Sequence, residues 1–241
     1  MSSILKIKGV SKTFGGFTAL SNVSLEIAQG ERFGLIGPNG SGKTTLINCV
    51  SGALRNEAGS IEFDGEDVTR LPAYQRTRRG IARSFQVPRP FHSMTVAENL
   101  TVPLEYVAHK GSLHLGDTHA EALELLRQMK LGDKADMPSR NLSQVELRKL
   151  ELARAMAARP RLLISDEAMA GLSGSEIDEV LEILFMLNQR GITIIMIEHI
   201  MQAVMRFSQR VVCLDAGKII CAGTPASIVQ NAEVQKAYLG A

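Results

Sequence analysis

The sequence predicts an α/β fold: a core of strands and helices split by a helical insertion. Three observations carry the prediction. Short apolar runs read as strands, RLLIS (161–165) as one buried on both faces and TIIMI (193–197) as another strand. One apolar run, ERFGLI (31–36), ends at a glycine-rich turn followed by a helical pattern. From about residue 87 to residue 160 the chain reads mainly as helix.

The elements follow in order. ILKIKGV and VSLEI (23–27) read as strands, 31–36 as the strand before the turn, and TTLINCVSG as a helix stopping near Gly52. Strands follow at 60–64 and 80–85. Thr95 with Glu98, Ser143 with Glu146 and Ser173 with Glu176 each form the S/T-x-x-E pattern of a capping box, so each opens a helix. In the third, Ile177, Val180, Leu181, Leu184 and Leu187 make one apolar stripe, and Gly191 ends it. TIIMI, VVCLD and KIICAG supply further strands, and Thr224 with Pro225 starts a final helical region.

Composition narrows the function classes. With 241 residues, 45% of them hydrophobic, the chain can bury a core and suits one globular unit, here 1–241, rather than a disordered segment. The net charge is only +2, so no nucleic-acid-binding stripe is expected, and RTRR (76–79) reads as a solvated helix face. The longest apolar run, 192–197, is far too short to span a bilayer, and MSSILKIKGV lacks a signal-peptide core; the expected location is the cytosol. Cys49, Cys213 and Cys221 form no CxxC pair and read as reduced, buried thiols. His109, His114 and His119 are spaced by five, which puts neighbours about 140° apart around a helix. They read as surface histidines in a loop rather than metal ligands.

The strongest chemical signal is GPNGSGKT, 37–44, which fits G-x-x-x-x-G-K-T and lies between a strand and a helix. Gly37, Gly40 and Gly42 let the backbone curl so that amide N–H groups point inward, and the helix starting near Lys43 adds its positive end. Pro38, Asn39, Ser41 and Thr45 complete the loop. Lys43 suits the β and γ phosphates of a nucleotide, and the Thr44 hydroxyl suits Mg²⁺. A second element, LLISDE (162–167), ends an apolar strand in two carboxylates. Asp166 suits Mg²⁺, through water, and Glu167 suits the polarisation of an attacking water. The absence of an N-K-x-D guanine-reading motif disfavours a GTPase.

The order of motifs resembles one family. GPNGSGKT, Gln86 in RSFQ, LSQVE (142–146), LLISDE, AGLS and His199 in IIMIEH are similar, in that order and over the whole chain, to the nucleotide-binding subunit of an ABC transporter. FGGFTALSNVSLEI, GIARSFQ followed by MTVAENL, MIEHIMQAVM and AYLG resemble the ATPase subunits of branched-chain amino acid importers. The resemblance implies a P-loop NTPase with a RecA-like mixed sheet, an N-terminal antiparallel β region, a core lobe of 1–86 and 161–241, and an inserted helical lobe of 87–160 that carries the signature motif. It implies an ATPase using ATP and Mg²⁺. In that reading Phe14 stacks on adenine, Gln86 senses Mg²⁺ and the attacking water, and His199 contacts the γ phosphate. It further implies a second cassette, identical or different, facing this one head to tail, together with transmembrane permease subunits. The chain would then be peripheral on the inner face of the cell membrane, with Ser143 reaching the partner's ATP.

Departures from the family pattern sharpen the reading. LSQVE stands where LSGGQ is common, and Val145 is the main change, because a stiff β-branched residue replaces a glycine that lets backbone approach the opposite phosphate. Glu146 either adds charge near phosphate or completes the capping box. Ala168 replaces a proline and Ser173 an aspartate, with mild effects expected. Two alternatives follow: a catalytically weakened, regulatory ABC subunit, and a soluble ABC ATPase outside transport. The second is disfavoured because this chain has neither two cassettes nor a long coiled coil.

Overall fold

The computed structural model describes residues 2–85, 87–108 and 115–239. Two twelve-residue strands, β1 (Ser3–Phe14) and β2 (Phe17–Ala28), form a hairpin across Gly15 and Gly16, whose φ values of +51° and +90° suit a two-residue turn. That turn sets Phe14 opposite Phe17. With β4 (Ala58–Phe63) and β5 (Glu66–Asp67) they make an antiparallel sheet in the order β2-β1-β4-β5.

The second sheet contains β3 (Arg32–Ile36), β6 (Ile81–Ser84), β7 (Leu162–Asp166), β8 (Thr193–Ile197), β9 (Arg210–Asp215) and β10 (Lys218–Gly223). Its order is β10-β9-β3-β8-β7-β6, parallel throughout except for the β9–β10 edge pair. Every residue of β7 and β8 is buried, which is why both read as continuous apolar runs. Alternate side chains serve two cores. Leu162, Ile164, Ile195 and Ile197 face the antiparallel sheet together with Leu5, Val10 and Phe33. Leu163, Ile194 and Met196 face the helices, among them Val180 and Leu184 of α6 (Gly174–Gln189). Truncating one such leucine to alanine costs about 2–5 kcal/mol.

The middle of the chain is helical. α3 (Glu98–Pro103) opens on the Thr95–Glu98 capping box and passes at Pro103 into a π turn, Leu104–Ala108. α4 (Leu115–Gln128) and α5 (Gln144–Ala157) follow, and Leu100, Leu126 and Leu150 from the three helices meet in the cluster that continues to the large sheet. Short helices α1 (Lys43–Ser51), α2 (Ala73–Arg78), α7 (Met201–Phe207), α8 (Pro225–Val229) and α9 (Ala232–Leu239) complete the chain.

Three expectations change. RTRR is not wholly a solvated face: Arg76 is 1% exposed and donates to the carbonyls of Cys49 (2.6 Å), Val50 (2.8 Å), Leu71 (2.9 Å) and Thr69 (3.0 Å). Two of these carbonyls, those of Cys49 and Val50, belong to the last turn of α1, where a cation is favoured. His119 lies exposed on α4 rather than in a loop, while His109 and His114 fall outside the described residues. All three cysteines are free, but Cys221 is only half-buried, and it sits opposite Cys213 across β9 and β10.

Candidate active site

The loop between β3 and α1 is shaped by crowding as much as by flexibility. Gly37 has φ +149°, and a β-carbon there would stand 2.1 Å from the Leu214 carbonyl oxygen. At Gly42, φ +104°, it would stand 2.5 Å from the Ala19 carbonyl oxygen. Other residues are excluded at both points. Around this loop the Gly217 N–H donates to the Ser41 carbonyl (3.0 Å) and the Gly37 N–H to the Tyr238 hydroxyl on α9 (2.8 Å).

Lys43 closes the loop from inside. Its Nζ donates to the carbonyls of Gly37 (2.8 Å) and Pro38 (3.0 Å) and to Ser41 Oγ (3.4 Å), and the residue is 6% exposed. Burial lowers its pKa, and the charges of Glu167 and Asp166 oppose that shift. An anion entering the loop therefore meets an ammonium already held in place.

A cleft of about 250 Å³ gathers the predicted residues: Asn39 to Thr45 line its floor, Phe14 one wall, and Glu167 and His199 another. Glu167 Oε1 and His199 Nε2 lie 2.7 Å apart. Glu167 adopts φ +48°, a left-handed conformation that costs a non-glycine residue about 1–3 kcal/mol, and its N–H donates to the Ile197 carbonyl at 2.9 Å. The strain turns the side chain at the end of β7 toward the loop.

Other predicted residues lie elsewhere. Asp166 is 5% exposed and sits behind the cleft, where Arg83 Nη2 donates to its Oδ2 at 2.5 Å. Ser143 is outside the cleft and caps α5: its Oγ accepts from the Glu146 N–H (3.4 Å) while its own N–H donates to Glu146 Oε2 (2.9 Å). Glu146 is also ion-paired to Lys134. Between the two readings left open for Glu146, the carboxylate completes the capping box. Val145 is half-buried against the helical core. Gln86 falls outside the described residues.

Sequence reasoning missed several neighbours. Phe17 lines the cleft beside Phe14, a placement readable from F-G-G-F once the glycine pair is taken as a two-residue turn. Tyr238 stood in AYLG without a role. Arg83 and the buried Glu198, which accepts the Met169 N–H at 2.9 Å, gave no signal of their own.

Known proteins resemble this chain over nearly its whole length. The family model for ABC transporters matches residues 20–170, and the model for the branched-chain amino acid ATP-binding cassette transporter matches residues 218–241. The chain is 36% identical to the high-affinity branched-chain amino acid transport ATP-binding protein BraF of Pseudomonas aeruginosa, covering 98% of each chain. It is 37% identical to LivG of Escherichia coli K12, named for the same transport, again covering 98% of each. The lipopolysaccharide export system ATP-binding protein LptB of Haemophilus influenzae is 34% identical, covering 99% of this chain and 98% of that one. Among solved structures, a nucleotide-free ATP-binding cassette from an ABC transporter superposes with a TM-score of 0.90 at 29% identity over 100% of both chains. A dimeric cassette bound to ADP and phosphate gives 0.83 at 26%, over 92% of this chain and 98% of that one. The chain belongs to the ABC transporter family as an ATP-binding cassette, an ATPase coupled to transport, with its likeness extending to the branched-chain amino acid branch.

Proposed function

We propose that this ATPase energises import of branched-chain or related amino acids, as one of two cassettes docked on transmembrane permease subunits at the inner face of the cell membrane. The observation that carries the chemistry is the shared cleft: a phosphate loop with a preplaced Lys43 faces Glu167, whose carboxylate is held by His199. The names of BraF and LivG, and the second family model, support the cargo. No helix among the described residues is long and apolar enough to cross a membrane, so the path for the solute falls to other subunits.

Within the cleft, Phe14 supplies an exposed aromatic face for adenine, with Phe17 beside it. The loop amides that point inward, other than the Gly37 N–H held by Tyr238 and the Ser41 N–H held by the Pro38 carbonyl, bind the phosphates together with the Lys43 ammonium. Thr44 and Asp166 offer hard oxygen donors that fit Mg²⁺, a metal that takes one or two carboxylates and completes its shell with water and phosphate. Its contribution when bound is to neutralise charge on the β and γ phosphates. Glu167 accepts a proton from the attacking water, and His199 fixes that carboxylate's position through the 2.7 Å contact. Ser143, remote from this cleft, serves the ATP of the facing cassette, and Gln86 links the site to the helical lobe. Closure of two cassettes around ATP then moves the permease, and hydrolysis resets it.

The test is uptake of radiolabelled leucine into proteoliposomes holding the assembled transporter, with ATP inside. Glu167→Gln should still bind ATP but lose about 10²–10⁴ in phosphate release and abolish uptake. Substantial hydrolysis in that variant refutes the role of Glu167, and ATP-driven transport of some other solute class refutes the cargo.

A second reading, a catalytically weakened subunit, is favoured by Val145 in the signature stretch. It predicts an asymmetric pair when the partner carries a normal signature: this chain's own site turns over, and the site completed by Ser143 and Val145 is slow.

A further inference from the structure

Asp166 is offered above as a donor to Mg²⁺, yet a cation already holds it. Arg83 Nη2 donates to Asp166 Oδ2 at 2.5 Å, with the two side chains only 11% and 8% exposed, so the pair is little screened by solvent. The same guanidinium donates through Nη1 to Asn48 Oδ1 on α1 at 2.6 Å and lies 5.4 Å from the centroid of the Phe85 ring. Its Nε is buried with no acceptor among the described residues, so its hydrogen bonding is incomplete.

Arg83 also belongs to a second surface. It lines a largely apolar cleft of about 440 Å³ between α1, β6 and the helical segment, together with Phe85, Arg89, Tyr106 and Val107. Phe85 and Tyr106 are 50% and 65% exposed. One guanidinium therefore touches the metal-site carboxylate at one end of its environment and an open groove at the other.

We propose that Arg83 acts as a positioning residue that stands in for the metal on Asp166. Its guanidinium competes with Mg²⁺ for that carboxylate, and the Phe85 ring beside the guanidinium sets the strength of the competition. This rests on the reading of Thr44 and Asp166 as the Mg²⁺ donors. The electrostatics fix the sign. A cation in contact with Asp166 lowers the carboxylate's attraction for a second cation, so withdrawing it tightens Mg²⁺. The coupling runs through contacts already present: the Phe85 face against the guanidinium, and the guanidinium against Asp166.

The experiment is a Mg²⁺ titration of the full chain with a fluorescent ATP analogue at fixed concentration, starting from EDTA, alongside melting temperatures without nucleotide. Arg83→Met keeps the reach and removes the charge. It should lower the Mg²⁺ midpoint about tenfold and change metal-free nucleotide affinity by less than twofold. Arg83→Lys keeps a cation and should stay within about threefold of wild type. Phe85→Ala, which removes the ring beside the guanidinium and leaves the Arg83 and Asp166 side chains unaltered, should lower the midpoint about threefold; it also decides the matter if Arg83→Met does not fold. Unmoved midpoints in Arg83→Met and Phe85→Ala, with only the melting temperature lowered, would overturn the proposal and leave a purely structural ion pair. A wild-type chain whose nucleotide binding ignores Mg²⁺ would overturn both this proposal and the donor assignment beneath it, so the two failures are distinguishable.

Discussion

Replacing Glu198 by glutamine should make the protein more stable, and only at the alkaline end of its range. Glu198 follows β8, is 1% exposed, and accepts the Met169 N–H at 2.9 Å, tying the segment after Glu167 to the one bearing His199. Burial pushes its pKa up from 4.5 to about 7; the Glu167 charge adds to that, while the Met169 and His199 backbone groups and Arg148 oppose it. Between those two values the folded protein holds a proton that the unfolded chain has released. The stability this group contributes is therefore fully present below about pH 4.5 and lost as pH rises through about 7, a difference of about 3 kcal/mol. Glutamine keeps an acceptor for Met169 and never ionises. Melting wild type and Glu198→Gln at pH 5 and pH 8 isolates the effect, because other titrating groups cancel in the comparison. In a chain of this length 1 kcal/mol moves Tm by about 2–4 °C, so the variant should gain roughly 6–12 °C on wild type between the two conditions. A Tm difference between the two proteins that is the same at both pH values refutes the argument.

Three further substitutions test other contacts. Tyr238→Phe removes the acceptor for the Gly37 N–H and should cost about 1 kcal/mol, read as a Tm drop of about 3 °C with no change in helix content by circular dichroism. Arg76→Leu removes a donor from four carbonyls, two at the end of α1 and two in the segment before α2, and should cost 3 kcal/mol or more, against less than 0.5 kcal/mol for Arg78→Leu, measured by urea unfolding. Val145→Gly should raise steady-state ATPase activity of the assembled transporter if the signature limits turnover, despite a lower Tm from glycine in the first turn of α5; unchanged turnover per folded molecule excludes that limit.

What could be read from sequence was what local pattern encodes. β7 and β8 were legible because parallel strands covered on both faces are apolar throughout, and the phosphate loop because glycine spacing and a following helix are local properties. α7, of seven residues, was not read as a helix: it has no side-chain cap and is too short to establish a period. Arg76 shows the limit most plainly, since a basic cluster looks the same whether its members meet water or the carbonyl end of another helix. The same holds at the site. Lys43, Thr44 and Glu167 belong to motifs, whereas Arg83, Glu198 and Tyr238 acquire their positions from strand pairing and from the return of α9 to the loop, contacts that span up to 201 residues of chain.

The signature stretch combines both kinds of information. From sequence, LSQVE held a stiff, bulky valine where a glycine lets backbone approach a partner's phosphate, and a glutamate with two readings. In the fold the Glu146 charge is engaged by Lys134 and by the Ser143 N–H, whose effects outweigh burial and lower its pKa, so it presents little free charge. The Val145 side chain packs on the helical core, so its bulk is directed largely inward. The obstruction argument therefore weakens, and stiffness remains. A β-branched residue in the first turn of α5 narrows the backbone's freedom to adjust, whereas glycine would leave it free to close on a phosphate. Any defect at the facing ATP then lies in the last small approach of backbone to anion. Such a defect slows the chemical step more than it weakens nucleotide binding, because an interaction completed only in the transition state affects turnover and not ground-state affinity.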